Sequence, residues 1–242
     1  MGRYRPNCAD TGRLMLAAVK KHGISTLIVL LTGLIGCFVG VNFVLQQRQQ
    51  ARNTQCGGRM AQLGFALQGY YNKFGRFPHL AERDADGRPL MSWRVQLLPY
   101  LDTGDVYGRL DLSQPWDSPK NVIVAEQSLP NVASRFRSPN DFKSADDNTS
   151  FVAVSLSPEK SPDGRNYGRG IIIVEIHNTG IHWMEPRDLT LAQVRSRVVE
   201  MVARGKSVHV LTADGQVGYI TEGSLVFHGS VDDLLTQWLQ QD

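Results

Sequence analysis

Two glutamates and two histidines near residue 180 form the most metal-like cluster in the sequence: Glu175, His177, His182 and Glu185. Imidazole nitrogens and carboxylate oxygens are ligands that zinc accepts. In a strand, Glu175 and His177 lie on one face, whereas His182 opens a following loop, where polar residues are common. Because the sequence has neither an H-E-x-x-H nor a C-x-x-C motif, we expect no metal site and no cofactor.

Other chemical motifs give no stronger signal. There is no G-x-S-x-G nucleophile elbow, and the glycine-rich stretches at 164–170 and 215–218 do not match a phosphate-binding loop. A triad of serine, histidine and aspartate assembles only in the fold, so the sequence leaves that alternative open. We expect the four tryptophans to fill the core, because aromatic side chains bury large areas. The chain is therefore predicted to have no catalytic residues and no enzyme activity.

The charge distribution separates the first 23 residues from the rest. The chain of 242 residues has a formal net charge of +3 and a pI of about 8.8. Residues 1–23 carry five basic side chains and one acidic side chain, whereas the other 219 residues carry 21 basic and 22 acidic ones. Since nucleic-acid binding needs a concentrated basic surface, we expect no nucleic acid as a partner. The three cysteines, an odd number, argue against a disulfide framework.

Residues 24–45 form an apolar run without a single charged side chain. As a helix, a run of this length spans roughly 33 Å, enough to cross the hydrocarbon core of a bilayer. The basic leader at 1–23 favours a cytoplasmic N-terminus. The sequence therefore predicts a single-pass transmembrane helix in the cytoplasmic (inner) membrane, with an extracytoplasmic head in the bacterial envelope.

Three fates remain open for this apolar run: a retained anchor, a cleaved secretory signal or a lipoprotein signal. The last is considered because the residues from Leu34 to Cys37 resemble a lipobox, which makes Cys37 a lipidation candidate. Gly36 and Gly40 form a small-xxx-small pattern that lets two helices approach closely. We therefore treat these glycines as a candidate helix–helix contact, and a homo-oligomer as a possible assembly.

The helical pattern continues beyond the apolar run. Met60, Leu63 and Leu67 recur at helical spacing, which predicts a helix over 46–78 that extends from the membrane segment into the head. The remaining residues, 79–242, are expected to form a mostly antiparallel sheet with short helices. This arrangement of elements predicts an α+β fold.

Individual elements of the head can also be placed. Alternating or β-branched stretches at 150–155 and 170–177 predict strands, and an apolar stripe that starts at Leu191 predicts a helix. Asp214 and Gly215 separate two further alternating segments, which predicts a hairpin with a structural turn at this pair. Ser230 is predicted to cap a last helix that covers one face of the sheet.

Several blocks of the sequence together resemble a known family. These blocks are ARNTQC at 51–56, QLGFALQGYYNKFGRFP at 62–78, LMSWRVQLLPYLD at 90–102, PWDSPKN at 115–121, IHWMEPRDLTL at 181–191 and VHVLTADGQVGYI at 208–220. They are similar to the bacterial prepilin-like family of uncharacterised extracytoplasmic proteins, which joins a type IV pilin-type N-terminus to a shared domain with a C-terminal Asp-Gly hairpin. The resemblance implies a pilin-like architecture and a membrane context, but no known reaction.

The chain departs from the family pattern at three positions. Gly23 stands where a prepilin is processed, but Ile28 replaces the glutamate of the fifth mature position. Arg137 replaces a cysteine found in relatives, which leaves Cys56 without an obvious partner. Arg204 replaces a histidine that relatives tend to carry before the Asp-Gly hairpin. Processing after Gly23 and filament assembly are therefore open for this chain.

Taken together, these features favour a structural or interaction role as a membrane-anchored, pilin-like or pseudopilin-like protein. Its expected partners are the membrane and further copies in a homo-oligomer or pilin-like assembly. The alternative is a monomeric anchored module, or a lipoprotein lipidated at Cys37, whose head binds a ligand.

Overall fold

A computed structural model describes residues 8–129, 131–154, 171–221, 224–227 and 230–232, and it divides the chain into two compact units, Met1–Ala51 and Arg52–Asp242. The fold is α+β, with one long N-terminal helix, shorter helices and two antiparallel sheets. The α-helices are α1 (Cys8–Phe74), α2 (Trp93–Leu97), α3 (Gly104–Arg109), α4 (Pro119–Ser128) and α5 (Leu191–Ala203), and short 3-10 helices lie at Leu98–Tyr100 and Ala133–Phe136. The strands are β1 (Ala81–Arg83), β2 (Pro89–Ser92), β3 (Phe151–Ala153), β4 (Ile171–Glu175), β5 (Val208–Thr212), β6 (Val217–Thr221), β7 (Ser224–Phe227) and β8 (Ser230–Asp232).

The predicted transmembrane segment requires a correction. Among the residues that the structure describes, no helix combines the length and the apolarity needed to cross a membrane. The predictions of a single-pass transmembrane helix over 24–45 and of a location in the cytoplasmic membrane, with the N-terminus cytoplasmic and the head extracytoplasmic, are therefore wrong.

The second half of α1 is the central helix of the Arg52–Asp242 unit. Met60, Leu63 and Leu67 are almost fully buried, as their helical spacing predicts. Phe74, at the end of the same stripe, is instead 49% exposed, since the helix ends there and Gly75 follows with a φ of 67°. Glycine adopts this left-handed conformation without steric cost, so the chain can turn away at this position.

The larger sheet has six strands in the order β3-β4-β5-β6-β7-β8, and every neighbouring pair is antiparallel. Successive side chains of a strand point to opposite faces. Ile173 and Leu211 therefore join one hydrophobic core together with α1, whereas Val174 and Val210 join a second core together with α5. The sheet thus lies between α1 on one face and α5 on the other.

Helix α5, which covers the second face of the sheet, begins with a capping box that fixes its first residue. The Thr190 hydroxyl accepts a hydrogen bond from the backbone N–H of Gln193, and the Gln193 side chain accepts one from the backbone N–H of Thr190. Val194 and Val198 are then buried against the sheet. The predicted helix at this position is confirmed, as are the strands β3 and β4.

The polar stretch after residue 81 forms the β1–β2 hairpin, because Asp84 accepts hydrogen bonds from the backbone N–H groups of Asp86 and Arg88 and closes the loop. One other expectation differs from the structure. Ser230 begins β8, which pairs with β7, so it does not cap a helix. The expected helix after it lies at 233–242, outside the described residues.

A buried ion pair ties α2 to the segment that precedes α5. Arg94 is fully buried and pairs with the Asp188 carboxylate, and its Nη2 also donates a 2.8 Å hydrogen bond to the Phe151 carbonyl. The Trp93 indole N–H donates a 2.8 Å hydrogen bond to the other Asp188 oxygen. Removing one partner would leave a buried charge without compensation, which costs far more than an exposed ion pair is worth.

We expect the Arg94→Met variant to lose about 3–5 kcal/mol of unfolding free energy, because Asp188 then stays buried without its cation. Urea unfolding of the wild type and the variant measures this loss. The double variant Arg94→Met/Asp188→Leu removes both charges and should recover a large part of it. If the double variant were as unstable as the sum of the two single variants, the two side chains would not act as a pair.

Candidate functional site

Cys56, Glu175 and His209 form a fully enclosed cluster between α1 and the sheet. They come from three different elements, α1, β4 and β5, and one ligating atom of each lies within 4.8 Å of the other two. Cys56 and Glu175 have no exposed surface, and His209 is 6% exposed. Within the part of the chain that the structure describes, no other group of three cysteine, histidine or acidic side chains has such a spacing.

The strand pattern explains why these side chains meet. Residues two apart on a strand share a face, so Glu175 lies on the α1 face of β4 together with Ile173, and His209 lies on the α1 face of β5 together with Leu211. Because β4 and β5 are paired, these two polar side chains become cross-strand neighbours. Cys56 lies one helical turn before Met60 on the buried face of α1, opposite the sheet.

The Glu175 carboxylate is the centre of the hydrogen-bond network. One oxygen, Oε2, accepts from the His209 backbone N–H at 3.0 Å and lies 2.7 Å from His209 Nδ1. The other oxygen, Oε1, accepts from the Ser138 hydroxyl and lies 2.8 Å from His177 Nε2. An ionised carboxylate only accepts hydrogen bonds, so both imidazoles donate to it. Both oxygens of this buried carboxylate therefore have hydrogen-bond donors from the protein itself.

This network also sets the ionisation state of the acid. Burial by itself raises the pKa of Glu175, but the hydrogen bonds from His177 and His209, the charge of His209 and the hydrogen bond from Ser138 outweigh it and hold the pKa well below its usual range. The buried carboxylate is therefore negative at neutral pH. Four hydrogen-bond donors, rather than one arginine or lysine, compensate the charge of this carboxylate.

Unlike Glu175, the Cys56 side chain is held in its neutral, protonated form. Burial, followed by the negative charge of Glu175, raises the pKa of Cys56 well above its usual range, and its hydrogen bond with Ser138 opposes this only in part. The thiol is therefore protonated and shielded from solvent. A nucleophilic cysteine needs the reverse, an accessible thiolate, so the cluster is not arranged for thiol catalysis.

The structure separates the four residues of the metal-like cluster predicted from the sequence. Glu175 and His177 are in contact, but His182 lies elsewhere, with its ring stacked 4.9 Å from that of Trp116. Its Nδ1 accepts a 3.1 Å hydrogen bond from the Met184 backbone, while Glu185 forms an ion pair with Arg187. His182 and Glu185 thus have local structural partners of their own.

The other residues singled out in the sequence lie in two places. Gly23, Gly36, Cys37 and Gly40 are exposed positions within α1, so processing after Gly23 and lipidation at Cys37 stay predictions. Asp214 and Gly215 form the turn between β5 and β6, where Gly215 has a φ of 84° and its N–H donates to the Thr212 carbonyl. The Asp214 carboxylate accepts from the Thr212 hydroxyl, which makes this pair a structural turn.

Sequence reasoning missed Ser138 and His209 as partners of Cys56. In the sequence, His209 is visible only as a member of an alternating segment, and Ser138 only as the residue after Arg137. One signal was available in the sequence. His209 lies on the same strand face as Leu211, and a histidine on a buried face needs a polar partner on a neighbouring strand. The partner itself, Glu175, is 34 residues away and becomes a neighbour only through strand pairing.

A separate open cleft of about 650 Å³ lies on the Arg52–Asp242 unit. Arg59, Arg109 and Arg135 line it together with Asp102 and Asp105. Burial lowers the pKa of the Arg59 guanidinium, and two neighbouring arginines reinforce the effect. The lining of the cleft is polar and includes both positive and negative side chains, which is typical of a site that binds a polar ligand.

The family model of a protein of unknown function (DUF1559, SBP_bac_10) matches residues 46–199, which is more than half of the chain. The chain therefore belongs to this family. No curated protein and no solved structure matches it. The match covers Cys56, Ser138, Glu175 and His177 but ends before His209.

We expect the burial of Cys56 to protect it from alkylation in the native protein. Iodoacetamide should label the exposed Cys37 in the folded chain, and Cys56 only after unfolding, because reaction needs an accessible thiolate. Mass spectrometry of the labelled peptides measures both sites in one sample. Equal labelling of both cysteines without denaturant would contradict the closed cluster described above.

Glu175 should also make the stability of the protein sensitive to acid. Its pKa in the folded state is below the unfolded value of ~4.3, so the carboxylate stabilises the folded state above that pH, and this contribution is lost as the pH falls through the folded pKa. We expect the stability difference between the wild type and Glu175→Gln to shrink as the pH is lowered from 7 to 3. Urea unfolding at each pH measures it, and a constant difference would refute this role of Glu175.

Proposed function

We propose that the chain is a pilin-like structural subunit in which an apolar segment of α1, Ile28–Leu45, packs against the same segment of other copies. The Arg52–Asp242 unit is the folded head of this subunit. The proposal rests on one observation above all, the exposed apolar surface of that segment, and the membership in a family of unknown function is compatible with it.

The apolar segment has no protein cover in the single chain. Eleven large apolar side chains between Ile28 and Leu45 are each between 47% and 71% exposed. Soluble monomers rarely leave contiguous apolar surface of this extent exposed, and such surface is typical of a protein–protein contact. A second copy offers the same uncharged surface, so association buries apolar area on both partners without burying a charge.

Gly36 and Gly40 provide a place where two such helices can approach closely. They are four residues apart, so they lie on the same side of α1, and a Cβ built at either position meets nothing within 4 Å. Close approach of two backbones at small residues increases the dispersion contacts of the larger side chains around them. These glycines are therefore the proposed centre of the contact.

Ile28 limits the kind of assembly that this chain can form. In type IV pilins the equivalent position carries a glutamate that pairs with a neighbouring subunit, and the present chain has no carboxylate there. An association of this chain through α1 therefore depends on apolar packing rather than on that charge pair.

Ligand binding by the head is a second candidate function. The polar cleft lined by Arg59, Arg109 and Arg135 favours it, since guanidinium groups beside the carboxylates of Asp102 and Asp105 can hold a polar ligand. A chain that acts only in this way would not need to associate through α1. The oligomeric state in cells therefore distinguishes the two candidates.

Cys37 reports directly on the proposed contact. It lies beside Gly36 and one turn after Gly33, so two copies packed at the glycines bring their Cys37 thiols close together. Mild oxidation of cells that produce the full chain should yield a reducible dimer linked through Cys37. We expect Gly36→Ile/Gly40→Ile to reduce the dimer about tenfold, which corresponds to ~1.4 kcal/mol of association free energy.

Leu45→Phe is the matched control, because it adds bulk about 180° around α1 from Gly36. It should leave the cross-linked fraction unchanged, and Cys37→Ser should abolish it. If the wild type gives no Cys37-linked dimer, or if both bulky variants reduce it equally, the proposed contact is wrong and ligand binding by a monomer becomes the preferred function.

A further inference from the structure

We propose that Cys56, Glu175 and His209 form a binding site for one divalent transition-metal ion, with Zn²⁺ as the expected occupant. The three side chains supply a thiolate sulfur, a carboxylate oxygen and an imidazole nitrogen, which is a ligand set that zinc accepts. This site is independent of the proposed association through α1, because it lies wholly within the Arg52–Asp242 unit.

The distances between the ligating atoms suit a small ion. Metal–ligand bonds of about 2.0–2.3 Å in a tetrahedral site place the ligand atoms roughly 3.3–3.8 Å apart. The corresponding atoms here lie within 4.8 Å of one another, and Glu175 Oε2 lies 2.7 Å from His209 Nδ1. In the occupied site, this last pair opens and the other pairs close around the ion.

The proton balance of binding is simple. The ion replaces the thiol proton of Cys56 and the proton that His209 Nδ1 donates to Glu175, and it takes the sulfur, the nitrogen and the carboxylate oxygen as ligands. The proton of His209 moves to the other ring nitrogen or to solvent, and the thiol proton is released. A thiolate and a carboxylate balance the two charges of the cation, so the occupied site is neutral.

Residues around the three ligands already hold them in place. The Ser138 hydroxyl donates to Glu175 Oε1, and His177 Nε2 lies 2.8 Å from the same atom, so the second oxygen of the carboxylate remains directed at His209. Lys206 Nζ lies 3.3 Å from the other nitrogen of His177. Such outer contacts orient metal ligands and raise metal affinity in known sites.

The chemistry of the cluster favours a metal site over a purely structural network. An apolar side chain would fill the position of Cys56 without placing a polar group beside a buried negative charge. The buried thiol is one further donor to Glu175, whose two oxygens already have four donors. A soft sulfur ligand within reach of an imidazole and a carboxylate is what a borderline metal ion requires.

The test uses the full chain with Cys8→Ser and Cys37→Ser, so that Cys56 is the only thiol. We expect this protein to bind one equivalent of Zn²⁺ by equilibrium dialysis and elemental analysis. Replacement by Co²⁺ should produce a sulfur-to-cobalt charge-transfer band, which only a thiolate ligand can give. Binding of Zn²⁺ should also raise the thermal midpoint of unfolding.

Two ligand variants and one control locate the site. Cys56→Ser and His209→Gln should weaken Zn²⁺ binding at least a hundredfold, which corresponds to about 2.8 kcal/mol of binding free energy. His182→Gln, which removes an imidazole outside the cluster, should leave the affinity unchanged. If a ligand variant fails to fold, the cobalt spectrum of the protein with Cys56 as its only thiol still decides the question.

Three results would overturn the proposal: no stoichiometric Zn²⁺, a cobalt complex without the charge-transfer band, or an affinity that Cys56→Ser and His209→Gln leave unchanged. The last result would identify an adventitious ion held elsewhere on the chain. None of these results bears on the α1 contact, because Cys37 cross-linking is measured with a different set of variants.

Discussion

The buried carboxylate of Glu175 is the constraint on which the centre of the molecule depends. A charge without exposed surface is tolerated only when protein groups replace the water that it has lost. This requirement fixes the position of His209 on the neighbouring strand, of Ser138 on the loop before β3 and of His177 after β4. These donors reach the carboxylate only when β4 pairs with β5 in the observed register and α1 packs against the sheet in its observed position.

The sheet divides the rest of the molecule into two regions of different character. On the α5 side, small β-branched residues such as Val174, Val198 and Val210 form a simple apolar core. On the α1 side, large aromatic and aliphatic side chains share the space with three buried charged groups, Glu175, Arg94 and Asp188. Buried polar groups have strict directional demands, so the α1 side has fewer acceptable arrangements than the α5 side.

The sequence predicts elements better than it predicts contacts. The stripe through Met60 and Leu67, the hairpin at Asp214 and Gly215 and the helix after Thr190 follow from periodicity and turn chemistry, which are local. Strand β8 at Ser230 was missed, because a serine followed by aspartates is also typical of a helix start. The cluster around Glu175 could not be predicted, since its members are separated by as many as 153 positions between Cys56 and His209 and only the fold unites them.

The free thiol of Cys56 lies next to the loop that carries Arg137. The family resemblance implies a cysteine at this position in relatives, as the first residue of a cysteine-proline-serine segment. In the present chain the Arg137 carbonyl accepts a hydrogen bond from Arg59, three residues after Cys56, and Ser138 is within hydrogen-bonding reach of the Cys56 sulfur. The loop at 137–138 therefore lies next to Cys56, where a second cysteine would compete for its sulfur. The Cys56 sulfur is a free thiol within reach of Ser138 and Glu175, and a thiol that is not consumed by a disulfide keeps its capacity to bind a metal ion.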